Sequence, residues 1–254
     1  GFTNGIAVVI FLAQIKDFFG LQIDNLPAEF FGRIKTLAAN AHTVDLPTLA
    51  LASVCFVFLL SYNRLAQRFS FMRRAPGPLV VLILGTLVSF VFSLPVETIG
   101  SRFNGIPQEL PNIGFPSLSI HDFGKLISPA ITIALLGAIE SLLSARVADS
   151  QIDDRHDPNQ ELVAQGLANL AAPLFGGFAA TGAIARTTTN VKTGGRTPIA
   201  GIIHAFVLLG IVLIAAPLAS YVPLATLSAI VMVVAVNMGE WHEFLELRRY
   251  SNNY

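Results

Sequence analysis

The stretch Phe178-Ala-Ala-Thr-Gly-Ala-Ile-Ala-Arg-Thr-Thr-Thr-Asn190 lies between two long apolar segments of the chain. It combines one cation, Arg186, with four threonines and a Thr-Gly pair at which a helix can begin. Helices that face lipid exclude this polarity, and the core of a water-soluble protein rarely needs it. A helix that begins inside a membrane and directs its N-terminus at an anion uses all of these groups. The stretch therefore favours a membrane transport protein.

The rest of the chain has the composition of a membrane protein. Of its 254 residues, 53% are hydrophobic and 13% are charged, whereas soluble domains average about 25% charged residues. We therefore predict an all-α, multi-pass integral membrane protein rather than a soluble protein with a large core. A spanning helix needs about 17–25 apolar residues, and the apolar blocks run approximately Gly5–Phe19, Pro47–Tyr62, Pro78–Leu94, Ile127–Leu143, Leu162–Phe178, Ile199–Ala219 and Leu224–Val236.

The charges indicate an orientation but no nucleic-acid partner. Sixteen basic residues balance sixteen acidic ones. The loop Asn63–Gly77 carries four arginines and no acidic residue, which indicates a cytoplasmic loop. Alternation of the spans places the C-terminal tail on the same side, where Glu240–Arg249 is predicted to form an amphipathic helix anchored by Trp241.

Glu140 is the candidate coupling residue. It follows the apolar run Ile133–Ile139, which places it deep in a helix. A carboxylate at that depth is costly unless it faces a cavity or is protonated, so a functional role is the default interpretation. The alternative is a structural carboxylate bonded to a neighbouring helix. Gly137 and Ser144 are expected on the same face of the helix and leave room beside Glu140.

Two amides and an acidic loop are expected to be structural. Gln165 and Asn169 lie one turn apart on the next helix, where amides typically form hydrogen bonds within the protein. The acidic segment Asp149–Asp157 is predicted to be a solvated loop, and Pro158 to begin the following helix. Nothing in it has the spacing of metal ligands, so we expect no metal and no cofactor.

The opening stretch predicts a half-helix. Gly176-Gly177 ends the preceding helix, Phe178–Ala180 is extended, and Thr181 is a candidate cap for a helix over Ala183–Val191. Such a helix is too short to span, so its N-terminus is expected near the middle of the membrane, as in the sites of secondary transporters. The alternative is that Arg186 only pairs with an acidic residue such as Glu140. The predicted substrate-binding residues are Thr181, Gly182, Ala183, Ile184, Ala185 and Arg186.

Several motifs together resemble the transmembrane domain of the sulfate permease (SulP) family of anion transporters, whose animal relatives include pendrin and prestin. They follow the order found in that family and span nearly the whole chain. The matching stretches are Gly1-Phe-Thr-Asn-Gly-Ile-Ala7 with Gln14, Glu140-Ser-Leu-Leu-Ser-Ala-Arg-Val-Ala-Asp-Ser150, Asn159–Asn169, Thr181–Asn190 and Gly194-Gly-Arg-Thr-Pro-Ile-Ala-Gly201.

The resemblance implies a uracil-permease-like fold of seven plus seven helices in inverted repeats. In that fold, residues 1–126 are helices five to seven, at the end of the first repeat. Residues 127–201 are core helices eight to ten with the substrate half-site. Residues 202–254 are gate helices eleven and twelve with the cytoplasmic tail. The family's third helix, which faces the tenth across the anion, its last two helices and the STAS domain that usually follows are then missing from this chain.

The resemblance also implies a site and a set of partners. Many relatives read Ser-x-Ser-Arg where this sequence reads Ala183-Ile-Ala-Arg186, so two hydroxyl donors to the anion are absent. Backbone N–H groups and Arg186 would remain, with Glu140 binding the coupling proton and with Ser144 and Asn169 in support. The expected partners are protons, membrane lipid, a second copy in a homodimer and an anion (sulfate, bicarbonate, chloride or a dicarboxylate). The expected location is the bacterial inner membrane.

The predicted function is secondary active, proton-coupled transport of a small inorganic or carboxylate anion by alternating access. A passive anion channel or exchanger on the same scaffold is one alternative. A nucleobase permease is another, which Arg186 disfavours because a cation suits an anion better than a neutral base. An intramembrane enzyme is the third, and the chain has no HExxH, no Gly-x-Ser-x-Gly and no nucleophile–base pair to support it.

Overall fold

The computed structural model describes residues 2–68, 75–108, 112–115 and 120–239. Within these ranges the chain is helical and forms no strand of a sheet; an isolated bridge joins Thr98 and Pro223. The predicted amphipathic helix of the tail lies outside the described residues. The helices are α1 (Phe2–Phe19), α2 (Phe30–Ala39), α3 (Leu46–Arg68), α4 (Gly77–Val91), α5 (Ile99–Phe103), α6 (Ile120–Ile152), α7 (Pro158–Ala171), α8 (Ile184–Lys192), α9 (Ile199–Ala219) and α10 (Leu224–Met238).

Each predicted apolar block overlaps a helix, although the block Leu162–Phe178 runs past the end of α7 at Ala171. The acidic loop is shorter than predicted. Helix α6 continues through Ile152, so the prediction that the loop begins at Asp149 is wrong. The helix ends where Asp153 takes a left-handed conformation with φ of 54°. Pro158 stands at the first position of α7, as predicted, and the Asp157 side chain accepts hydrogen bonds from the backbone of Asn159 and Gln160.

The chain divides into two compact units, residues 1–107 with 214–254 and residues 108–213. In the first unit, α1, α3, α4 and α10 pack side by side. Small residues on α10 allow this packing, since Ala225 and Ala229 are almost completely buried. The buried cluster between these helices comprises Phe18, Leu51, Ala52, Cys55, Leu59, Val81, Ala225, Ala229, Met232 and Val233.

One glycine sets the distance between α4 and α10. A Cβ atom on Gly85 would lie 2.5 Å from Oγ1 and 2.8 Å from Cγ2 of Thr226. Thr226 is fully buried, and its hydroxyl lies 3.8 Å from the Cys55 sulfur. Three helices therefore meet at this threonine, and only a residue without a side chain fits opposite it.

Backbone and ionic contacts fix the loops of the first unit. The Ile99 N–H donates to the Val222 carbonyl at 3.0 Å, and the Leu224 N–H donates to the Glu97 carbonyl at 2.9 Å. Arg102 in α5 lies 2.6 Å from the Asp17 carboxylate at the end of α1 and also pairs with Glu97. The segment before α5 is thus held against the start of α10 and the end of α1.

The second unit contains α6, α7, α8 and most of α9, with α6 packed against α7 and α8. Among the described residues, two helices are long and apolar enough to cross a membrane, α6 over Phe123–Ile152 and α9. Only 6% of the most apolar part of each is buried in this chain. Soluble proteins seldom leave apolar surface of that extent uncovered, so exposure to lipid or to further helices accounts for it.

We expect Gly85→Ala to destabilise the protein by about 1–3 kcal/mol, since the new methyl group overpacks Thr226. Thermal unfolding in detergent measures this as a lower midpoint, and Thr226→Ala in the same chain should restore part of the loss. Gly201→Ala is the matched control, because a methyl group there meets no described atom within 4 Å. Equal stability of Gly85→Ala and Gly201→Ala would contradict the proposed close approach.

Candidate functional site

A short helix, α8, lies where the opening stretch predicts a half-helix, with each end one residue later than expected. Helix α7 runs into a short 3-10 helix, Ala172–Phe175, which ends at Gly176 with φ of 70°. Residues 177–183 are not helical, and α8 begins at Ile184. The residue before α8 is Ala183, whose extended backbone carries no side-chain cap. The expectation that Thr181 caps this helix is therefore wrong.

Thr181 is used elsewhere. Its hydroxyl donates to the Gly137 carbonyl in α6 at 2.8 Å and lies 2.9 Å from the Ser141 hydroxyl. A threonine engaged in this way anchors the non-helical segment to α6. The next residue, Gly182, lies close to α6, since a Cβ atom on it would be 3.4 Å from the Cβ atom of Ser144.

The two amides of α7 bind the backbone of the non-helical segment. The Asn169 side chain accepts from the Ala180 N–H at 2.8 Å and donates to the Ala180 carbonyl at 3.0 Å. Gln165 donates to the same carbonyl. The predicted role of these amides as structural hydrogen-bonding groups fits this arrangement, with a backbone segment as their partner.

Ser141 is the residue that the sequence reasoning missed. It is 1% exposed, and its hydroxyl lies 3.1 Å from the Gln165 side-chain oxygen and 3.2 Å from the Gly182 N–H. The available signal was its spacing, four residues after Gly137 and three before Ser144, which places all three on neighbouring rows of one helix.

Two threonines of α8 contact α6. The Thr187 hydroxyl lies 2.8 Å from that of Ser144, and the Gln151 amide donates to Thr188 at 3.5 Å. Thr187 and Thr188 thus help to hold α8 against α6. These contacts also place Ser144 at the interface of α6 with the first turn of α8.

Glu140 and Arg186 do not form an ion pair with each other. Among the residues that the structure describes, neither has an ion-pair partner. Arg186 is exposed and Glu140 is partly exposed. The alternative in which Arg186 only neutralises Glu140 is therefore not found in this structure.

Glu140 lines a groove of about 840 Å³ in the second unit. The groove runs between α6 and α7 and reaches the non-helical segment before α8. The Glu140 carboxylate and this segment therefore line the same cavity. Apolar surface predominates in it. The polar groups on its wall are Glu140, Gln165, Asn169 and Thr181.

The start of α8 presents unpaired donors. The first hydrogen bond of the helix runs from the Thr187 N–H to the Ala183 carbonyl. Across the described part of the chain, the N–H groups of Ile184 and Arg186 have no backbone acceptor, as is normal for a first turn. Together with the Arg186 guanidinium, these groups form a positively polarised end that is suited to an anion.

These features define an α-helical membrane protein with a half-helix between its apolar spans. The chain belongs to the sulfate permease family, whose profile matches residues 1–253. The family predicted from the motifs is thereby confirmed. A putative sulfate transporter of Bacillus subtilis, YvdB, is 43% identical over 253 residues, which are 99% of this chain and 47% of that protein.

Bicarbonate transporters are also among the relatives. BicA of Picosynechococcus sp. is 34% identical over 250 residues, covering 95% of this chain and 41% of that protein. The chain thus spans about half the length of the curated relatives it matches or somewhat less. These relatives are named as transporters rather than enzymes, in agreement with the sequence-based expectation.

Solved structures share the fold. The transmembrane domain of a cyanobacterial BicA matches with a TM-score of 0.81 at 32% identity, over 95% of this chain and 60% of that one. Murine Slc26a9, an anion transporter in an inward-facing state, matches with the same TM-score at 22% identity, over 99% and 41%. The second likeness concerns the fold alone.

We expect Ser144 and Thr187 to be energetically coupled. A double-mutant cycle with Ser144→Ala and Thr187→Val should give a coupling free energy of about 0.6 kcal/mol, the average for such bonds in membrane proteins. Thermal unfolding in detergent supplies the four stabilities. Thr193→Val is the control partner, because the Thr193 hydroxyl donates only to carbonyls of its own segment among the described residues. Equal coupling for both threonines would contradict the assigned contact.

Proposed function

We propose that the complete protein carries a small anion across the membrane by secondary active transport, and that residues 181–186 form one half of its binding site. The observation that carries the proposal is the start of α8, where unpaired N–H groups precede an exposed Arg186 without a described acidic partner. An anion would satisfy these donors. Relatives named as sulfate and bicarbonate transporters support the same substrate class.

Within that class we propose an oxyanion such as sulfate or bicarbonate. Ala183 and Ala185 offer no hydroxyl groups, so the N–H groups of the first turn and the planar guanidinium supply the donors. An anion with several oxygens can accept from both at once, and a guanidinium binds such oxygens in pairs. Chloride and dicarboxylates are competitors to be tested beside them.

We further propose that Glu140 binds the coupled proton and that the core segment, residues 127–201, carries the site during alternating access. The groove that Glu140 lines extends to the segment before α8. A proton on Glu140 removes a negative charge from the wall of this groove, which favours entry of an anion. Residues 1–126 and 202–254 would then belong to the gate, and the complete protein would act as a homodimer in the inner membrane.

Arg186→Ala should raise the KM for the anion about tenfold or more, since a hydrogen bond to a charged group contributes about 1.5–3 kcal/mol. Arg186→Lys should retain part of the affinity because it keeps the charge and loses the planar fork. The measurement is uptake of labelled sulfate and bicarbonate by the full-length protein in liposomes. Arg155→Ala, in the exposed loop before α7, is the matched control. An unchanged KM in Arg186→Ala would overturn the site assignment.

Glu140→Gln should abolish the stimulation of uptake by an inward proton gradient, because an amide, unlike a carboxylate, does not bind and release a proton. Asp154→Asn, which makes the same change on an exposed loop, should respond to the gradient like the wild type. The assay compares initial rates with and without the gradient at constant external pH. A wild type that is indifferent to the gradient would favour a passive channel or exchanger. Uptake of nucleobases without anions would favour a nucleobase permease.

A further inference from the structure

The non-helical segment before α8 is held by three side chains from two helices. We propose that Ser141, Gln165 and Asn169 are positioning residues that fix the backbone of residues 180–182 and thereby set the direction of the first N–H groups of α8. The inference rests on the proposed function, because it concerns the affinity of the same half-site. It adds residues that need not touch the anion.

The orientation of both amides is determined by the backbone of Ala180. The Ala180 N–H has to meet an oxygen, so Asn169 presents Oδ1 to it and turns Nδ2 to the Ala180 carbonyl. The Gln165 nitrogen meets the same carbonyl, which leaves Oε1 pointing at α6. Ala180 thus has both backbone groups paired by side chains, as a neighbouring strand would pair them.

Ser141 holds the segment from the side of α6, and together with Gln165 and Asn169 it forms what we call the positioning frame. Gln165 Oε1 is an acceptor only, so the Ser141 hydroxyl donates to it, and a lone pair of Ser141 Oγ accepts from the Gly182 N–H. A single buried oxygen therefore joins α6, α7 and the residue that precedes Ala183. No replacement that lacks a hydroxyl can make both bonds.

The consequence for transport is a change in affinity rather than in coupling. Loss of the Ser141 hydroxyl frees the Gly182 N–H and the side-chain oxygen of Gln165 and removes the contact with the Thr181 hydroxyl. The first turn of α8 then loses its fixed direction. Glu140 keeps its place on α6 and its ability to bind a proton. The KM for the anion should therefore rise while the response to a proton gradient remains.

The first test compares Ser141→Thr with Ser141→Val in the full-length protein in liposomes. The two variants have nearly the same shape, so any overpacking is shared and the difference isolates the hydroxyl. Uptake of labelled sulfate and bicarbonate should give a KM about three- to tenfold higher for Ser141→Val than for Ser141→Thr, because the hydrogen bonds to Gln165 and Gly182 are lost. The maximal rate and the gradient dependence should agree within about twofold. Ser150→Val, at an exposed site of the same helix, should match the wild type.

The second test does not depend on transport. Hydrogen exchange followed by mass spectrometry should show amides of residues 178–186 about tenfold less protected in Ser141→Val than in Ser141→Thr, with other amides unchanged. Asn169→Ala should expose the same peptide, whereas Asn159→Ala, near the exposed start of α7, should not.

The outcomes separate this inference from the proposed function. If the wild type moves no anion while the exchange of residues 178–186 rises as expected, the proposed function fails and the positioning frame stands. If the wild type transports and Ser141→Val has the KM of Ser141→Thr, the inference is overturned and the proposed function stands. Unchanged protection in Ser141→Val and Asn169→Ala also overturns the inference.

Discussion

The hydrogen bonding of a short non-helical backbone is the constraint on which the second unit depends. A chain that leaves one helix and begins another between apolar spans exposes N–H and C=O groups that lipid cannot satisfy. Here Asn169 pairs with both groups of Ala180, and Ser141 accepts from Gly182. Within the described part of the chain, the N–H groups of Ile184 and Arg186 in the first turn of α8 have no backbone acceptor, so they are available to a ligand.

The first unit is built on a different principle. In its buried core, Gly85 lets the backbone of α4 approach α10 so closely that the Thr226 side chain packs directly against it. The ion pair of Arg102 with Asp17 then ties the end of α1 to the short helix α5. Close helix packing thus organises the first unit, whereas hydrogen bonds from side chains to a non-helical backbone organise the segment before α8 in the second.

The sequence predicted the helices because runs of apolar residues of membrane length have few other solutions, and it predicted the half-helix because Arg186 and its threonines interrupt two such runs. It did not predict the role of Ser141, since one serine in an apolar helix looks the same whether it bonds within its helix or to a distant segment. The prediction that Thr181 caps α8 was wrong for a related reason. A threonine before a helix can cap it, but here the Thr181 hydroxyl bonds to Gly137, 44 residues away. The predicted end of α6 was wrong because Asp149 is polar but does not break a helix.

The most direct test of the account is whether an anion occupies the start of α8. A cysteine in place of Ala183, in a full-length protein without other reactive cysteines, reports on that position through its rate of modification by a water-soluble thiol reagent. We expect a transported anion to slow the modification in proportion to its occupancy, with half protection at its KM, and Arg186→Ala to remove the protection. A modification rate that no transported anion changes would contradict the placement of the site.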